Sequence, residues 1–165
     1  MEIILLTPGN ATEYQELRLT ALKSSPEAFS SSYEEEKCNS VSFYEERLNG
    51  EQSYTYGAFL HNNLAGTVTL FPETKNKIKH RAHIFAMYVS EEFRKRGLGK
   101  ALMNAAIEKA QELEGIEQIH LTVNASNEAA KMLYLSLGFS TYGVDKKALN
   151  IEGRYYDEEL MVKMV

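Results

Sequence analysis

The segment Arg94-Lys-Arg-Gly-Leu-Gly-Lys100 sets two glycines and four basic side chains directly ahead of a run with helical periodicity. Glycines at a strand-to-helix turn remove the Cβ atoms that would hold a phosphate at a distance. The first turn of a helix exposes unpaired N–H groups, and its dipole places about half a positive charge there. Arg94, Lys95, Arg96 and Lys100 add full charges. This is the chemistry of an anion site, most naturally for a pyrophosphate, against the alternative of a surface basic cluster ahead of a helix. A Walker A loop does not fit, because Gly99-Lys100 is followed by Ala101 where that loop needs Ser or Thr. A dinucleotide fingerprint does not fit either: Leu102 stands where a third glycine is needed, and Asn124 where the next strand should end in an acid. A second constellation starts thirty residues after Gly97. Asn127, Ala130, Lys131 and Tyr134 fall at i, i+3, i+4 and i+7, so they share one helix face.

These residues need elements to position them. Glu2–Leu6 reads as a strand and Asn10–Ser24 as a helix with Tyr14, Leu17, Ala21 and Leu22 at helical spacing. Ser24–Asn39 is polar and punctuated by Pro26, the pattern of a loop. Ser42 and Glu45 form a capping-box pattern opening a short helix to Leu48. Ser53–Leu60 and Leu64–Phe71 read as a hairpin about an Asn62-Asn63 turn. Arg81–Val89 is a strand ahead of the basic turn. The helix after the turn carries Leu98, Ala101, Leu102, Ala105, Ala106, Ala110 and Leu113 on a broad apolar face and stops at Gly115. Ile116–Val123 is a strand, Ser126 is placed to cap a helix to Gly138, and Phe139–Ala148 and Tyr155–Met164 are closing strands. Hairpins at both ends and one central crossover predict a mixed sheet in an α/β fold, and no linker divides residues 1–165, which predicts one domain.

The pattern Arg94-x-x-Gly97-x-Gly99 between a strand and a long helix resembles the coenzyme A pyrophosphate loop of the GNAT N-acetyltransferase superfamily. Asn127-Glu-Ala-Ala-Lys-Met-Leu-Tyr134-Leu-Ser-Leu-Gly138-Phe139 resembles that family's second signature, Asn-x-x-Ala-x-x-x-Tyr-x-x-x-Gly-Phe. The element order resembles the GNAT fold over nearly the whole chain. The resemblance implies a mostly antiparallel sheet of about seven strands, helices on both faces, and a central parallel pair that splays apart. It implies acetyl-CoA as co-substrate, with main-chain groups of Met87, Tyr88 and Val89 along the pantetheine arm. It assigns the pyrophosphate to the turn through Lys95, Arg96, Gly97, Leu98, Gly99 and Lys100, with Arg94 and Lys131 as further phosphate contacts. Asn127, Ala130 and Tyr134 belong to the same cofactor face, and a homodimer through the C-terminal strands is implied by the resemblance alone.

Transfer of an acetyl group to an amine makes three chemical demands. The ammonium, with a pKa of about 10.4, must lose a proton. The developing oxyanion needs a fixed donor, for which a main-chain N–H near Val89 is the natural candidate. The leaving thiolate benefits from a proton, and Tyr134 is the expected general acid. Some family members place a Glu fourteen residues ahead of the first motif glycine. Here that position is His83, a candidate general base, since imidazole titrates near pH ~6.5; a structural His or a water relay are the alternatives. By a two-residue period His83, Phe85, Met87 and Val89 share one strand face. No covalent intermediate is required, so the single Cys38 needs no catalytic role.

Composition narrows the partners. The chain is 44% hydrophobic and 25% charged with 3 Pro, an ordinary globular balance. At 165 residues it can bury roughly 70% of its unfolded surface, so neither a disulfide nor a metal is needed. A net charge of −5 argues against nucleic acid as partner. No apolar run approaches the ~20 residues of a membrane span, and Met-Glu-Ile-Ile-Leu-Leu does not read as a secretory leader. Together with one free thiol this predicts a cytoplasmic protein without membrane attachment. Glu34, Glu35, Glu36, Asp157, Glu158 and Glu159, interleaved with Tyr33, Tyr155 and Tyr156, predict an acidic, aromatic-rimmed mouth drawing a cationic small-molecule or peptide amine. The rival functions are a non-catalytic acyl-CoA sensor and a phosphate- or nucleotide-binding module.

Overall fold

The computed structural model describes residues Met1–Val165. The strands are β1 (Glu2–Leu5), β2 (Tyr54–Leu60), β3 (Asn63–Pro72), β4 (Arg81–Val89), β5 (Gln118–Asn124), β6 (Ser140–Ile151) and β7 (Arg154–Met164). The helices are α1 (Ala11–Ser24), α2 (Tyr33–Glu36), α3 (Val41–Leu48), α4 (Leu98–Glu112) and α5 (Glu128–Ser136). The strands form one sheet in the order β1-β2-β3-β4-β5-β7-β6. All neighbours are antiparallel except β4 and β5, which run parallel. The architecture is therefore the mixed seven-stranded sheet with a central parallel pair that the resemblance implied. No helix is long and apolar enough to cross a membrane.

Alternation of side chains assigns the two faces. Ala82, Ile84, Ile119, Leu121, Val123 and Met161 point to one side, where they pack with Leu98, Leu102, Met103 and Ala106 of α4 and with Tyr134 and Phe139 at α5. The other side is covered by α1 and α3, where Leu6, Ala11, Tyr14 and Tyr44 form a separate apolar cluster. Helices thus lie on both faces, and removal of these side chains from water supplies the main driving force.

Several local expectations shift. The β2–β3 turn is His61-Asn62, one residue earlier than expected, and both residues have positive φ (50° and 65°), as a two-residue hairpin of the right twist requires. Asn127, not Ser126, caps α5, its Oδ1 accepting from the Ala130 N–H at 3.1 Å. Ser40 caps α3 in place of the Ser42/Glu45 box; the capping box belongs to Ser32 and Glu35 at α2. That short helix and a 3-10 turn at Pro26–Ala28 lie inside the segment expected to be a loop. The polar residues there cap helix ends, which composition alone does not distinguish from coil.

Candidate active site

Strands β4 and β5 pair over only three residues, Arg81–His83 against Gln118–His120. Beyond that point they part, and a cleft of about 1050 Å³ lies between their diverging ends, the basic turn and α5. A bulge shapes its β4 wall. Thr67 opposes Tyr88 and Thr69 opposes Phe85, so β4 carries one extra residue there, and Ala86 has φ 51°. The Thr67 hydroxyl donates to the Ala86 carbonyl at 3.3 Å. A bulge leaves its extra residue unpaired and re-aims the strand. The expectation that His83, Phe85, Met87 and Val89 share a face is therefore overturned. Met87 and Val89 turn toward α4, close to Gly99. His83 and Phe85 lie on the opposite face, to which Tyr88 also belongs: it packs on Leu17 and Ala21 and meets Ser24 Oγ at 3.0 Å.

The basic turn carries two glycines for different reasons. Gly97 has φ 83°, and nothing lies within 4 Å of where its Cβ would stand; it is needed for its left-handed conformation. A Cβ on Gly99 would lie 3.3 Å from Leu133 Cδ2 and Met87 Cε, so it is needed for close packing of α4 on α5 and β4. Gly97 caps α4 without a side-chain hydrogen bond, and the first N–H groups of the helix have no intrahelical partner. Lys95, Gly97, Leu98, Gly99 and Lys100 line the cleft. Arg94 lines it too while bracing the turn, its Nε donating to the Val89 carbonyl at 3.0 Å. Arg96 sits over the Phe93 ring at 5.8 Å and is not part of the cleft wall.

Helix α5 contributes Asn127, Ala130 and Tyr134 to the same cleft. Tyr134 is 7% exposed and edge-on to Phe139; burial pushes its phenol up to about 12, so it holds its proton through the neutral range. Lys131 is directed elsewhere. Its ammonium donates to the Ala125 carbonyl at 3.0 Å, to Glu128 at 2.9 Å and to Glu159 at 3.0 Å, and it does not line the cleft.

The opposite half of the cleft is walled by residues from distant segments. His83 Nε2 lies 3.1 Å from Glu73 Oε1. Its ring stacks on Phe85 and neighbours His120 at 5.6 Å. His120 was legible as a polar residue between Ile119 and Leu121, and parallel pairing of the two strands sets it beside His83. Burial, together with the charges of His83, Arg81 and His80, holds its pKa below the ordinary imidazole value. Arg18 pairs with Glu36 through Nη2 at 2.8 Å and Nε at 3.1 Å, and Tyr44 donates to the same carboxylate at 3.2 Å. Burial pushes the Glu36 carboxyl up, but the Arg18 hydrogen bonds and charge, with Arg47 and Tyr44, more than reverse it. Asn124 Nδ2 donates to the Glu27 carbonyl at 3.3 Å, tying the Pro26–Ala28 turn to β5.

The expected acidic mouth is not formed. Glu34 pairs with Lys37, Glu35 caps α2, Glu36 holds Arg18, Asp157 pairs with Lys146 and Glu159 with Lys131. Tyr33 and Tyr155 lie under Lys23 and Lys147, and Tyr156 under Arg154. Of all these residues only Glu158 reaches the cleft wall, its carboxyl raised by burial and by the charge of Asp145. No group of His, Cys, Asp and Glu is arranged to hold a metal ion.

Comparison with known proteins bears on the fold and the family. The chain is 28% identical over 107 residues to the L-amino acid N-acetyltransferase AaaT of Escherichia coli, covering 65% of each. It is 36% identical over 59 residues to an N-alpha-acetyltransferase of Sulfurisphaera tokodaii, covering 36% of this chain and 35% of that one. The chain thus spans between about a third and two thirds of the length of these two curated relatives. A GNAT-family acetyltransferase from Streptococcus pneumoniae superposes with a TM-score of 0.88 at 25% identity, over 99% of this chain and 98% of that one. The yncA protein of Salmonella typhimurium, solved with acetyl-CoA, has the same fold with a TM-score of 0.80 at 18% identity, over 99% and 93%. The sequence model of the acetyltransferase (GNAT) family matches residues 15–139, and the chain belongs to that family.

Proposed function

We propose that the protein is an acetyl-CoA-dependent N-acetyltransferase that moves an acetyl group directly onto a primary amine within one ternary complex. The observation that carries this reading is the cleft itself. One end is an uncapped helix N-terminus behind a left-handed Gly97 turn with Arg94, Lys95 and Lys100. The middle is a gap between parallel strands, and a protonated, buried Tyr134 lines the wall. A diphosphate fits the first part by charge and by N–H direction. A pantetheine arm fits the second, with Met87, Tyr88 and Val89 along the free edge of β4. In this assignment Tyr134 protonates the leaving thiolate. His83, turned toward the amine side by the bulge and held by Glu73, takes the proton that the acceptor ammonium gives up. The nitrogen then attacks the thioester carbon, the carbon–sulfur bond breaks, and the second nitrogen proton passes to sulfur by way of the Tyr134 hydroxyl.

The test is a screen of amines and short peptides with acetyl-CoA, read by mass and by thiol release. Acetylation of at least one amine is expected, with Tyr134→Phe lowering kcat by about 100-fold while the Kd for acetyl-CoA stays within twofold. Tight acetyl-CoA binding with no transfer to any amine would make the protein an acyl-CoA sensor instead. Stabilisation by ATP or NAD in place of coenzyme A would favour a nucleotide-binding module.

A further inference from the structure

A line of rings runs across the sheet on the acceptor side of the cleft. Phe71 lies 6.3 Å from Phe85, Phe85 5.7 Å from His83 at an interplanar angle of 10°, His83 5.6 Å from His120, and His120 5.7 Å from Tyr142 edge-on. They come from four strands, β3, β4, β5 and β6, so the line exists only in the folded sheet. Phe85, His83, His120 and Tyr142 line the cleft. Of the four rings in the cleft the outer two are open to solvent, Phe85 at 54% and Tyr142 at 57%. A phenylalanine half exposed inside a concave site, with its neighbours already stacked, offers apolar area that a ligand can cover. Of the carboxylates expected at an acidic mouth only Glu158 lines the cleft, Glu73 is held against His83, and Arg18 and Arg47 stand on the same cleft wall.

We infer that this row is the floor of the acceptor subsite and that the acceptor is an amine attached to a flat aromatic body. The inference rests on the acetyltransferase reading. It replaces the polyamine-like acceptor that an acidic mouth would have drawn. The amine end reaches the gap that opens beyond His83 and His120, and the ring lies against Phe85 and Tyr142. Aromatic side chains prefer offset or edge-to-face contact with one another, which an aliphatic chain of equal length does not supply. A second cation would meet the partly exposed guanidinium of Arg47 on the same wall.

The experiment uses 2-phenylethylamine, n-hexylamine and spermidine as probes with the full-length protein saturated with coenzyme A. Ring signals of Phe85 and Tyr142 are followed by NMR during titration, and kcat/KM is measured in parallel with acetyl-CoA. 2-Phenylethylamine is expected to shift both ring signals and to bind about tenfold tighter than n-hexylamine. Tyr142→Ala, at an exposed position apart from His83, is expected to remove that preference through KM with kcat little changed, and Phe85→Ala, which also strips the ring stacked on His83, to remove it in the binding titration. Equal or tighter binding of n-hexylamine or spermidine overturns the inference while leaving the acetyltransferase reading in place. So does a Phe85→Ala variant that dissociates a dimer and binds 2-phenylethylamine as before, since the row would then be an interface between copies. Ring shifts without acetylation of any amine would keep the subsite and remove the enzymatic reading.

Discussion

The two halves of the cleft are built differently. The proposed cofactor half is mostly short-range and made of main chain: a strand end, a turn with Gly97 in the left-handed region, and the first N–H groups of α4, within residues 86–101, with Asn127, Ala130 and Tyr134 of α5 alongside. Its charges need no partner from elsewhere in the chain. The acceptor half is long-range and made of side chains. Arg18 reaches Glu36, Asn124 reaches across to Glu27, His83 meets Glu73, and the rings of Phe85 and Tyr142 approach through His83 and His120. A site made of backbone depends on a handful of conformations; a site made of distant side chains depends on the packing that brings them together. Damage to packing should therefore reach the acceptor long before it reaches the cofactor.

The largest effect is expected at Arg18. Its side chain is 6% exposed and that of Glu36 9%, so Arg18→Ala leaves a carboxylate buried without its cation. Breaking such a pair costs about 3–5 kcal/mol, or a fall in Tm of about 10 °C for a chain of this size. The comparison of halves sharpens the expectation: acceptor KM should rise while the Kd for coenzyme A changes little. Arg18→Met with Glu36→Leu should recover most of the stability, because no charge is then stranded. The pH dependence has a definite sign. The folded Glu36 carboxyl titrates below its ordinary value, so its contribution is present above pH ~4.3 and is lost as pH falls through the depressed folded value. The Tm gap between the parent and Glu36→Gln should close on acidification in that range. A gap that widens there, or equal damage to coenzyme A binding, would erase the distinction between the halves.

The middle effect separates the two glycines. Gly97→Val places a β-branched residue at φ 83° with open space around its Cβ, so the penalty is conformational, ~1–2 kcal/mol, and coenzyme A affinity should weaken about tenfold as the turn relaxes. Gly99→Ala meets only the tips of Leu133 and Met87 at 3.3 Å, which can yield, and should cost less. Calorimetric Kd values and melting curves for both variants test the order. The reverse ranking would mean that packing, not backbone conformation, organises the cofactor half.

This division also explains what could be read before the fold was seen. Sequence order and three-dimensional order coincide in the basic turn, so Arg94, Gly97 and Gly99 stood out as a candidate anion site from their spacing, while Asn127 and Tyr134 were singled out through the resemblance to the family's second signature. The seven strands and the central crossover followed from periodicity in the same way. The acceptor half could not be read like this. Glu36 stands in an acidic run, yet burial against Arg18, 18 residues away, makes it a structural ion rather than a charge at the mouth. The bulge at Ala86 has no sequence signature: a strand of alternating residues gives no sign that one will be inserted, and that single insertion moves His83 and Phe85 to the opposite face from Met87 and Val89. His120 was within reach, since polar residues alternating with Ile119, Leu121 and Val123 identify a second face; what spacing could not supply was its neighbour in β4.

The smallest effect is the most discriminating for the cofactor half. Lys131 shares a helix face with Asn127 and Tyr134, and the family resemblance implied that it is a phosphate contact. In the fold its ammonium already donates to the Ala125 carbonyl, Glu128 and Glu159, and the hydrogen bonds to Glu128 and Glu159 hold its pKa above the ordinary lysine value. A lysine so engaged ties α5 to the segment after β5 and to β7, and in the proposed reading the diphosphate then falls to main-chain N–H groups and to Arg94, Lys95 and Lys100. Lys131→Gln keeps a donor for the Ala125 carbonyl, removes the pair with exposed Glu128, which contributes little, and the partly buried pair with Glu159, and should leave the Kd for coenzyme A within about twofold, whereas Lys100→Gln should weaken it more. The salt dependence of Kd gives a second reading: screening weakens attraction between exposed charges, so a cation that contacts the diphosphate flattens the dependence when removed, and one that does not leaves the slope as it was. A flattened slope in Lys131→Gln would mean that this side chain leaves Glu159 when the cofactor arrives, and the cofactor half would then share the side-chain dependence of its counterpart.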